Sequence, residues 1–330
     1  MSNILLSICI PTYNRAEYIG EAIESILMQI TPAIKDKVEI CVSDNASTDN
    51  TQEIVKKYQD KNICKIIFYK NEKNLGADRN YLKVIEIANG EYCWWLGSDD
   101  ALEVNTLSTL IEKINATHYD LYLLTQNCYS CDFNIKYECN NHPLLNRRED
   151  SELKLNDILG EAIYLLGYLS VLIVKRDDFI IDMPLDEKYI GSMYVHTYKI
   201  LYLISKQKKM YHIRQPIVKW RGDNDSFLSD LKIYGRIKID IDGYSSIAED
   251  VFGRNSKEYK TIVKIRVFNK MVRHILLLKL NSFDRKEILK LYERFKDETF
   301  YYNLARFISL VPKELIHFIR FVYRKTIKRY

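Results

Sequence analysis

The first hundred residues alternate between two hydrophobic periodicities, and this alternation limits the fold more than any other feature of the sequence. Apolar runs typical of buried strands occupy residues 4–10, 38–42, 65–69 and 92–96. Between them, apolar residues recur at helical spacing over residues 16–30, 48–58 and 78–88. Strands that alternate with helices predict a mainly parallel sheet with right-handed crossovers.

The sequence is less regular after residue 120. Apolar segments predict further strands at Leu121–Leu124, at Leu169–Lys175 and at Met210–Arg221, the last as one strand or two. Helical spacing predicts a helix at Ser192–Ser205 and returns from about residue 229 onward. We therefore expect an α/β fold with a mostly helical carboxyl-terminal extension.

Cysteine content and segment lengths limit where the protein can act. Seven cysteines in 330 residues do not fit a secreted disulfide framework, so we expect a reducing compartment. The longest uncharged runs, Met1–Asn14 and Ala162–Val174, contain 14 and 13 residues, whereas a membrane-spanning helix needs about 20. No basic segment precedes the apolar run at 4–10, so a secretory leader is not expected. These observations predict a cytoplasmic protein without spanning helices.

The net charge of +5 is concentrated at the carboxyl terminus. Residues 313–330 contain six basic residues and one acidic residue, which also give +5, so the remaining residues sum to zero. This distribution argues against a nucleic-acid-binding surface. Apolar residues lie among these cations. The segment is therefore either an amphipathic helix on an anionic membrane face or a helix packed on the protein with a solvated basic side.

Polar motifs follow the four predicted strands. In chain order these motifs are Pro11–Arg15, Asp44, Arg79 with Asn80, and Asp99 with Asp100. Parallel strands bring such motifs to one edge of the sheet. There an Asp can accept hydrogen bonds from a nucleobase or ribose, an Arg can pair with phosphate, and two acids can hold a cation against a diphosphate. Two adjacent acids alone also fit a solvated turn, but four motifs in this order favour a nucleotide-diphosphate site.

The motifs resemble those of the family 2 glycosyltransferases, enzymes of the GT-A fold that use nucleotide sugars. The resemblance covers about residues 3–115 and is carried by Pro11–Arg15, Val42–Thr51, Asn74–Asn80 and Leu96–Ala101. It implies a Rossmann-like sheet flanked by helices, and the layout is similar to the abequosyltransferase-like branch of bacterial surface-polysaccharide enzymes. The implied organisation is a nucleotide-sugar-binding half at 1–120, an acceptor-binding half at 121–228, and a helical region with a basic tail at 229–330.

The resemblance also implies which residues bind the donor and its metal. The donor-binding set comprises Pro11, Thr12, Tyr13, Asn14, Asp44, Arg79, Ser98 and Asp99. Arg221, outside the resemblance, joins this set as a diphosphate contact from the chemistry of its own loop. Asp99 and Asp100, singly or together, are expected to hold Mg²⁺ or Mn²⁺. Two positions depart from the family's pattern: Gly97 stands where the metal-binding element usually begins with an acid, and Asp78 stands where a small residue is common. The first departure leaves open which acid contacts the metal.

An inverting transferase needs a base that accepts the proton of the attacking hydroxyl. In the family this base is usually an acid of the second half, often within a Glu-Asp pair, and residues 185–196 contain no such pair. Asp186, Glu187 and His196 are the candidates in this region. The ordinary histidine pKa of about 6.5 suits a base near neutral pH, so we place His196 ahead of the two acids. The alternative for His196 is a structural, packed histidine.

Two further segments allow more than one interpretation. Residues 221–226 are either a loop that covers the diphosphate, with Arg221 as a contact, or a surface turn, and the preceding Trp220 either stacks on a sugar or covers the core. The set Cys128, Cys131, Cys139 and His142 is compatible with a structural zinc site, although free thiols are equally ordinary in a reducing compartment.

The sequence as a whole predicts a metal-assisted, inverting glycosyltransferase. Its donor is expected to be a nucleotide sugar, and its acceptor a saccharide, lipid-linked, at the inner face of the cytoplasmic membrane. The alternative is a non-catalytic protein that keeps this fold for binding or scaffolding, which the glycine at 97 and the missing acid pair favour. A retaining transferase is a third interpretation.

Overall fold

The computed structural model describes residues 4–137, 144, 147–222, 224 and 226–318. The chain forms two compact units, residues 1–224 and residues 225–330. The first unit therefore contains both halves that the sequence suggested for donor and acceptor, and its boundary lies close to the expected one at 228. The assignment of those halves to donor and acceptor stays a prediction.

One sheet forms the centre of the first unit. Its strands in the described chain are β1 (Leu6–Thr12), β2 (Val38–Asp44), β3 (Lys65–Lys70), β4 (Tyr92–Trp95), β5 (Ala101–Leu102), β6 (Leu121–Tyr129), β7 (Lys136–Tyr137), β8 (Ser151–Leu153), β9 (Leu172–Lys175) and β10 (Met210–Arg221). The helices are α1 (Ala16–Leu27), α2 (Thr51–Asp60), α3 (Ala77–Glu86), α4 (Leu107–Thr117), α5 (Leu155–Gly160), α6 (Arg176–Phe179), α7 (Asp186–Tyr189) and α8 (Val195–Ser205).

The strand order is β3-β2-β1-β4-β9-β6-β10-β5, with β7 beside β6 and β8 beside β10. The four amino-terminal strands β3, β2, β1 and β4 are parallel, and so are β6 and β10. Strand β9 joins the two sets and runs antiparallel to both β4 and β6. The α/β class and the mainly parallel sheet with flanking helices are therefore confirmed.

Burial explains why the amino-terminal strands form. Every residue of β1, β2 and β4 is buried, as expected for parallel strands covered on both faces. Helix α1 supplies one cover through a stripe of apolar residues at helical spacing, namely Ile19, Ala22, Ile23, Ile26 and Leu27. The largest fully buried side chains include Trp94 and Trp95 of β4. The core thus lies directly beneath the strand that leads to the paired acids.

Several element boundaries differ from the predictions: α1 ends at Leu27 rather than at residue 30, and β6 continues to Tyr129 rather than ending at Leu124. Three further differences have identifiable local causes. Strand β1 continues through Pro11, which was expected to end it. Residues on a strand alternate in the side they face: the Cys9 carbonyl accepts the Leu96 N–H beside β4, and the Thr12 carbonyl accepts the Asn45 N–H beside β2. The backbone of Pro11 therefore points toward β4. The pairing of β1 with β4 ends at Cys9, before Pro11, so the sheet needs no hydrogen bond from the N–H that proline lacks.

The other two differences also have local causes. Residues Leu169–Val171 form a 3₁₀ turn before β9, although their apolar character predicted a strand. Helix α8 begins at Val195 rather than at residue 192, because Gly191 and Met193 adopt positive φ values of 88° and 66°. A helix cannot include such residues, so the segment before Val195 is a loop.

The second unit is helical, as predicted. Its elements are α9 (Ser226–Phe252), α10 (Lys257–Val263), a π-helical turn (Lys264–Phe268), α11 (Asn269–Leu280), α12 (Arg285–Lys290) and α13 (Thr299–Ile308), followed by helical residues at 313–318. Helix α9 is broken at Lys232, whose φ of 54° is not helical. In the part of the chain that the structure describes, no helix combines the length and the apolar character needed to cross a membrane.

Candidate active site

Asn80 joins the carboxyl ends of the first two strands. Its Nδ2 donates to the carbonyls of Ser43 (3.0 Å) and Thr12 (3.3 Å), and its Oδ1 accepts from the Ser43 hydroxyl (2.7 Å) and from Asn71 Nδ2 (3.2 Å). Asn80 is buried at the start of α3. The motifs that follow β1, β2 and β3 therefore lie together at one edge of the sheet, which we call the carboxyl edge. Sequence reasoning noted Asn80 only as part of a motif and missed this role.

Asp44 is fully buried at this edge. Its Oδ1 accepts from the Ser47 backbone N–H at 3.0 Å and from the Ser47 hydroxyl. Its Oδ2 lies 3.8 Å from Lys70 Nζ and accepts no hydrogen bond from any described residue. The buried hydroxyl of Thr12 is also without a hydrogen-bond partner among the described residues. Two polar atoms at one strand edge thus remain available to a ligand.

The other predicted donor contacts have different surroundings. Tyr13 is exposed, and Pro11 lies within β1. Asn14 connects the first two motifs, because its backbone N–H donates to the Ser47 hydroxyl (2.8 Å) and its Oδ1 accepts the Thr48 N–H (2.9 Å). Ser98 is buried in the turn after β4. These positions fit a donor site, but for Asn14 the contacts also give a purely structural reason for its presence.

Asp99 and Asp100 have unequal hydrogen-bond partners. The Asp100 carboxylate is buried, and both oxygens are occupied: Oδ2 accepts from the hydroxyls of Tyr168 and Ser170, each at 2.5 Å, and Oδ1 accepts the Arg221 backbone N–H at 3.0 Å. Burial, and then the neighbouring Asp99 carboxylate, raise the pKa of Asp100 to about 7. Asp100 is therefore held by protein donors on every side.

Asp99 retains more capacity for a ligand. Its Oδ2 accepts from Asn224 Nδ2 at 2.7 Å, and among the described residues Oδ1 has no side-chain donor. Burial is the main cause that raises the pKa of Asp99, while Arg15 acts against it. Magnesium sites of enzymes often use one or two carboxylates, with substrate phosphates and water as the other ligands. The residues present fit such a cation through Asp99, whereas the described chain contains no cluster of three acidic, histidine or cysteine ligands.

Packing explains why a glycine occupies position 97. A Cβ at this position would lie 2.8 Å from Asp100 Oδ2, 3.0 Å from Asp99 Oδ1 and 3.1 Å from the Ser170 hydroxyl. Moreover, the Gly97 N–H donates to that hydroxyl at 2.8 Å. The space that a side chain would need is therefore filled by the hydrogen-bonded group of Asp100 and Ser170.

The Arg221 side chain connects three separate segments of the chain through hydrogen bonds. Its Nε donates to the Asp99 carbonyl (2.6 Å), one terminal nitrogen pairs with Glu21 (2.5 Å), and the other donates to the Cys131 carbonyl. The guanidinium also lies over the Phe133 ring at 3.9 Å. It is buried, and its donors serve the protein itself. The structure thus brings Arg221 to the site, but as a support for the Asp99 loop rather than as an open contact for phosphate.

The three candidate bases differ in accessibility. His196 is 1% exposed, lies beside the rings of Tyr81 and Trp95, and has its pKa lowered to about 3 by burial. Asp186 pairs with the buried Lys199 at 2.7 Å. The Glu187 side chain is 79% exposed and pairs with Arg79 at 2.8 Å. Of the three, only Glu187 is freely accessible to an acceptor, while the surroundings of His196 are those of a packed histidine.

The cysteine set does not assemble as a zinc site in the described chain. Cys128 is disulfide-bonded, in contrast to the free thiols expected for a reducing compartment, so its sulfur is not available as a thiolate ligand. Cys131 is free and exposed. Cys139 and His142 lie outside the described residues.

Comparisons with a family profile and with known proteins indicate the same family. The profile of Glycosyl transferase family 2 matches residues 7–169. Abequosyltransferase RfbV of Salmonella typhimurium (strain LT2) is 38% identical over 264 residues, which cover 76% of this chain and 77% of that protein.

Solved structures with a similar fold include two transferase complexes. S. aureus TarS 1–349 in complex with UDP superposes with a TM-score of 0.55 at 19% identity, covering 92% of this chain and 88% of that one. Mannosyltransferase PcManGT from Pyrobaculum calidifontis, in complex with GDP-Man and Mn²⁺, gives 0.53 at 13% identity, covering 92% and 86%. These matches confirm the expected GT-A fold.

Proposed function

Because the chain belongs to glycosyltransferase family 2 and is a glycosyltransferase, we propose that it moves a sugar from a nucleoside-diphosphate sugar to a saccharide acceptor of a bacterial surface polysaccharide. The observation that carries the donor assignment is a pair of buried polar atoms at the carboxyl edge that have no hydrogen-bond partner among the described residues, Asp44 Oδ2, whose nearest cation is Lys70 Nζ at 3.8 Å, and the Thr12 hydroxyl. An unsatisfied buried acceptor is costly, and a nucleobase N–H or ribose hydroxyl supplies the missing donor.

Asp99 is the residue that we propose for the divalent cation. Its carboxylate has an oxygen to offer, whereas the Asp100 oxygens are already engaged. When bound, Mg²⁺ or Mn²⁺ supplies charge neutralisation on the leaving diphosphate. Asp100 then acts on the loop itself: by holding Tyr168, Ser170 and the Arg221 backbone, it keeps Asp99 in place. A solved structure of similar fold, PcManGT in complex with GDP-Man and Mn²⁺, supports this assignment.

For proton acceptance we propose Glu187 ahead of His196 and Asp186. An acceptor hydroxyl has to touch its base, and the exposed Glu187 carboxylate permits this contact. Asp186 is engaged in an ion pair with Lys199, and His196 is enclosed by aromatic rings, so neither is open to an acceptor hydroxyl. We further propose an inverting reaction, which predicts that the product has the anomeric configuration opposite to that of the donor. Retention of configuration, measured by NMR of the product, would exclude this mechanism.

A thermal-shift panel of UDP-, GDP-, CDP- and dTDP-sugars, with and without Mn²⁺, tests the donor proposal. We expect one nucleotide class to raise the melting temperature, more strongly with Mn²⁺, because a ligand of the native state stabilises it by mass action. Asp44→Asn should abolish the shift.

Glu39→Gln is the matched control for this panel. Glu39 is equally buried on the same strand β2, but it lies near the amino end and bonds Ser7, Asn89 and Lys65. This variant is expected to melt earlier yet keep the donor shift. A shift that is equal in Asp44→Asn and the wild type would overturn the assignment of Asp44, and a missing shift with every donor would contradict the proposed function. Donor binding without turnover would favour the scaffolding alternative.

We also propose that the acceptor is lipid-linked and that the carboxyl-terminal region contacts an anionic membrane face. The support is an exposed apolar set in the second unit, comprising Phe300, Phe307, Leu310, Leu315 and Phe318. Exposed aromatic and aliphatic side chains with cations in the same segment are typical of interfacial helices. Most of the basic tail, residues 319–330, lies outside the described residues.

A further inference from the structure

The Asp78 carboxylate accepts hydrogen bonds from the backbone of a loop that is distant in sequence. This residue lies in the first turn of α3 and is 1% exposed. Its Oδ2 accepts the N–H groups of Gly191 and Met193, each at 2.8 Å, and its Oδ1 accepts the Val195 N–H at 3.1 Å. One carboxylate therefore holds three amides of the loop that leads into α8.

The loop depends on such an acceptor. Gly191 and Met193 have positive φ values, and the N–H groups of the alternate residues 191, 193 and 195 all donate to the Asp78 carboxylate. Gly191 is exposed, while Ser192 and Met193 are half-buried. A small residue, which the resemblance led us to expect at position 78, would have no carboxylate to accept these bonds. The departure noted in the sequence thus corresponds to a specific structural arrangement.

The residue next to Asp78 contacts the same segment. Arg79 pairs with Glu187 at 2.8 Å, so two consecutive residues of α3 contact residues 187–195. The following residue, Asn80, bonds the ends of β1 and β2. The first turn of α3 therefore ties the carboxyl edge, where the donor is proposed to bind, to the segment that carries Glu187.

We propose that Asp78 is a positioning residue for acceptor use: by holding the 191–195 loop, it fixes the acceptor-side wall of the site. This inference rests on the proposed transferase function. It predicts that loss of the Asp78 carboxylate impairs acceptor binding and leaves donor binding intact. The amides of Gly191, Met193 and Val195 should at the same time exchange faster with solvent.

The test compares Asp78→Asn with Glu39→Gln in the full-length protein. Glu39 is the matched control because it is also buried and also accepts a backbone N–H, from Asn89 at 2.7 Å, but at the opposite end of the sheet. The donor is the nucleotide sugar with the largest thermal shift, and the acceptor is whichever methyl glycoside of a common hexose gives the fastest release of nucleoside diphosphate. For Asp78→Asn we expect the acceptor KM to rise about tenfold, because a contact misplaced by about 1 Å can cost up to about a hundredfold. The donor KM should stay within about twofold of the wild-type value.

Gly191→Ala provides a second variant if Asp78→Asn fails to fold. An added Cβ there meets no atom within 4 Å, yet the φ of 88° is unfavourable for alanine, so the change disturbs the loop without touching α3. An unchanged acceptor KM in a folded variant with faster loop exchange would overturn the inference, as would equal rises in donor and acceptor KM. Absence of turnover by the unaltered protein with every donor would instead refute the proposed function.

Discussion

At the scale of single residues, Asp99 and Asp100 show what a motif leaves undetermined. The sequence predicted a pair of acids at the end of β4, but the two side chains have different partners. Tyr168, Ser170 and Arg221, which engage Asp100, lie 68 to 121 positions away. No local pattern contains this information, so the choice of Asp99 for the metal needed the structure.

Gly97→Asp tests whether the acid that the resemblance led us to expect at position 97 would support donor binding in this chain. We expect the variant to lose donor-dependent stabilisation rather than gain it, because its Cβ would meet Asp100 Oδ2 at 2.8 Å. Overpacking of this kind costs about 1–3 kcal/mol of stability. Urea unfolding and the thermal-shift assay measure the two effects. Gly160→Asp is the control, since a Cβ there meets no atom within 4 Å. Tighter donor binding by Gly97→Asp would contradict this account.

His196 provides a prediction about pH. Its pKa is lowered to about 3 by burial, below the ordinary 6.5, so the unfolded chain binds a proton more readily than the folded protein. Stability should therefore fall as the pH drops below about 6.5, by about 2 kcal/mol at pH 5 from this residue alone. In His196→Phe the loss between pH 7 and pH 5 should be smaller, with turnover at pH 7 retained within several-fold. Turnover reduced a hundredfold in a stably folded variant would restore His196 as the base.

At the scale of elements, the regular part of the fold could be predicted and the connections could not. Periodicity located the four amino-terminal strands and their helices, because buried strands and amphipathic helices have distinct apolar spacing. The 3₁₀ turn at Leu169–Val171 and the late start of α8 depend on backbone angles and on Asp78, which apolar spacing does not report. Likewise, one continuous β10 with register shifts around Pro216 replaces the open choice between one strand and two.

Arg221→Lys tests the junction at the end of β10. A lysine cannot reproduce the planar set of bonds to the Asp99 carbonyl, Glu21 and the Cys131 carbonyl. We expect a stability loss of about 2 kcal/mol and weaker Mn²⁺-dependent donor binding. Arg176→Lys, which removes a single bond to the Glu86 carbonyl, should do neither. Undiminished Mn²⁺ dependence in Arg221→Lys would argue that the Asp99 loop holds its shape without the guanidinium.

At the scale of the whole molecule, composition and charge describe two different regions. The neutral balance of residues 1–312 and the +5 of residues 313–330 predicted a globular protein with a basic tail. The structure adds the helical second unit and its exposed apolar residues. The family and fold were accessible from sequence because the motifs occur in order. The acceptor-side geometry was not, because it depends on contacts between distant segments.

Deletion of residues 313–330 tests the proposed membrane contact. We expect the full-length protein to sediment with vesicles rich in anionic phospholipid and not with neutral ones. Binding should weaken with salt, because each basic residue near the surface contributes about 1 kcal/mol that salt screens. The deletion should abolish sedimentation while leaving the donor thermal shift unchanged. Equal sedimentation of both proteins would refute the contribution of the tail.

The order of the strands along the chain has a consequence for biosynthesis. The first strands to emerge from the ribosome form the carboxyl edge. The Asp99 loop, in contrast, is fastened by Arg221 and Asn224, which follow it by more than a hundred residues. A nascent chain therefore contains the edge proposed for the donor before the Asp99 loop, proposed for the metal, is fastened. From the proposed function we expect donor sugar to stabilise only chains translated through β10, so truncated translation products should gain no protection from it.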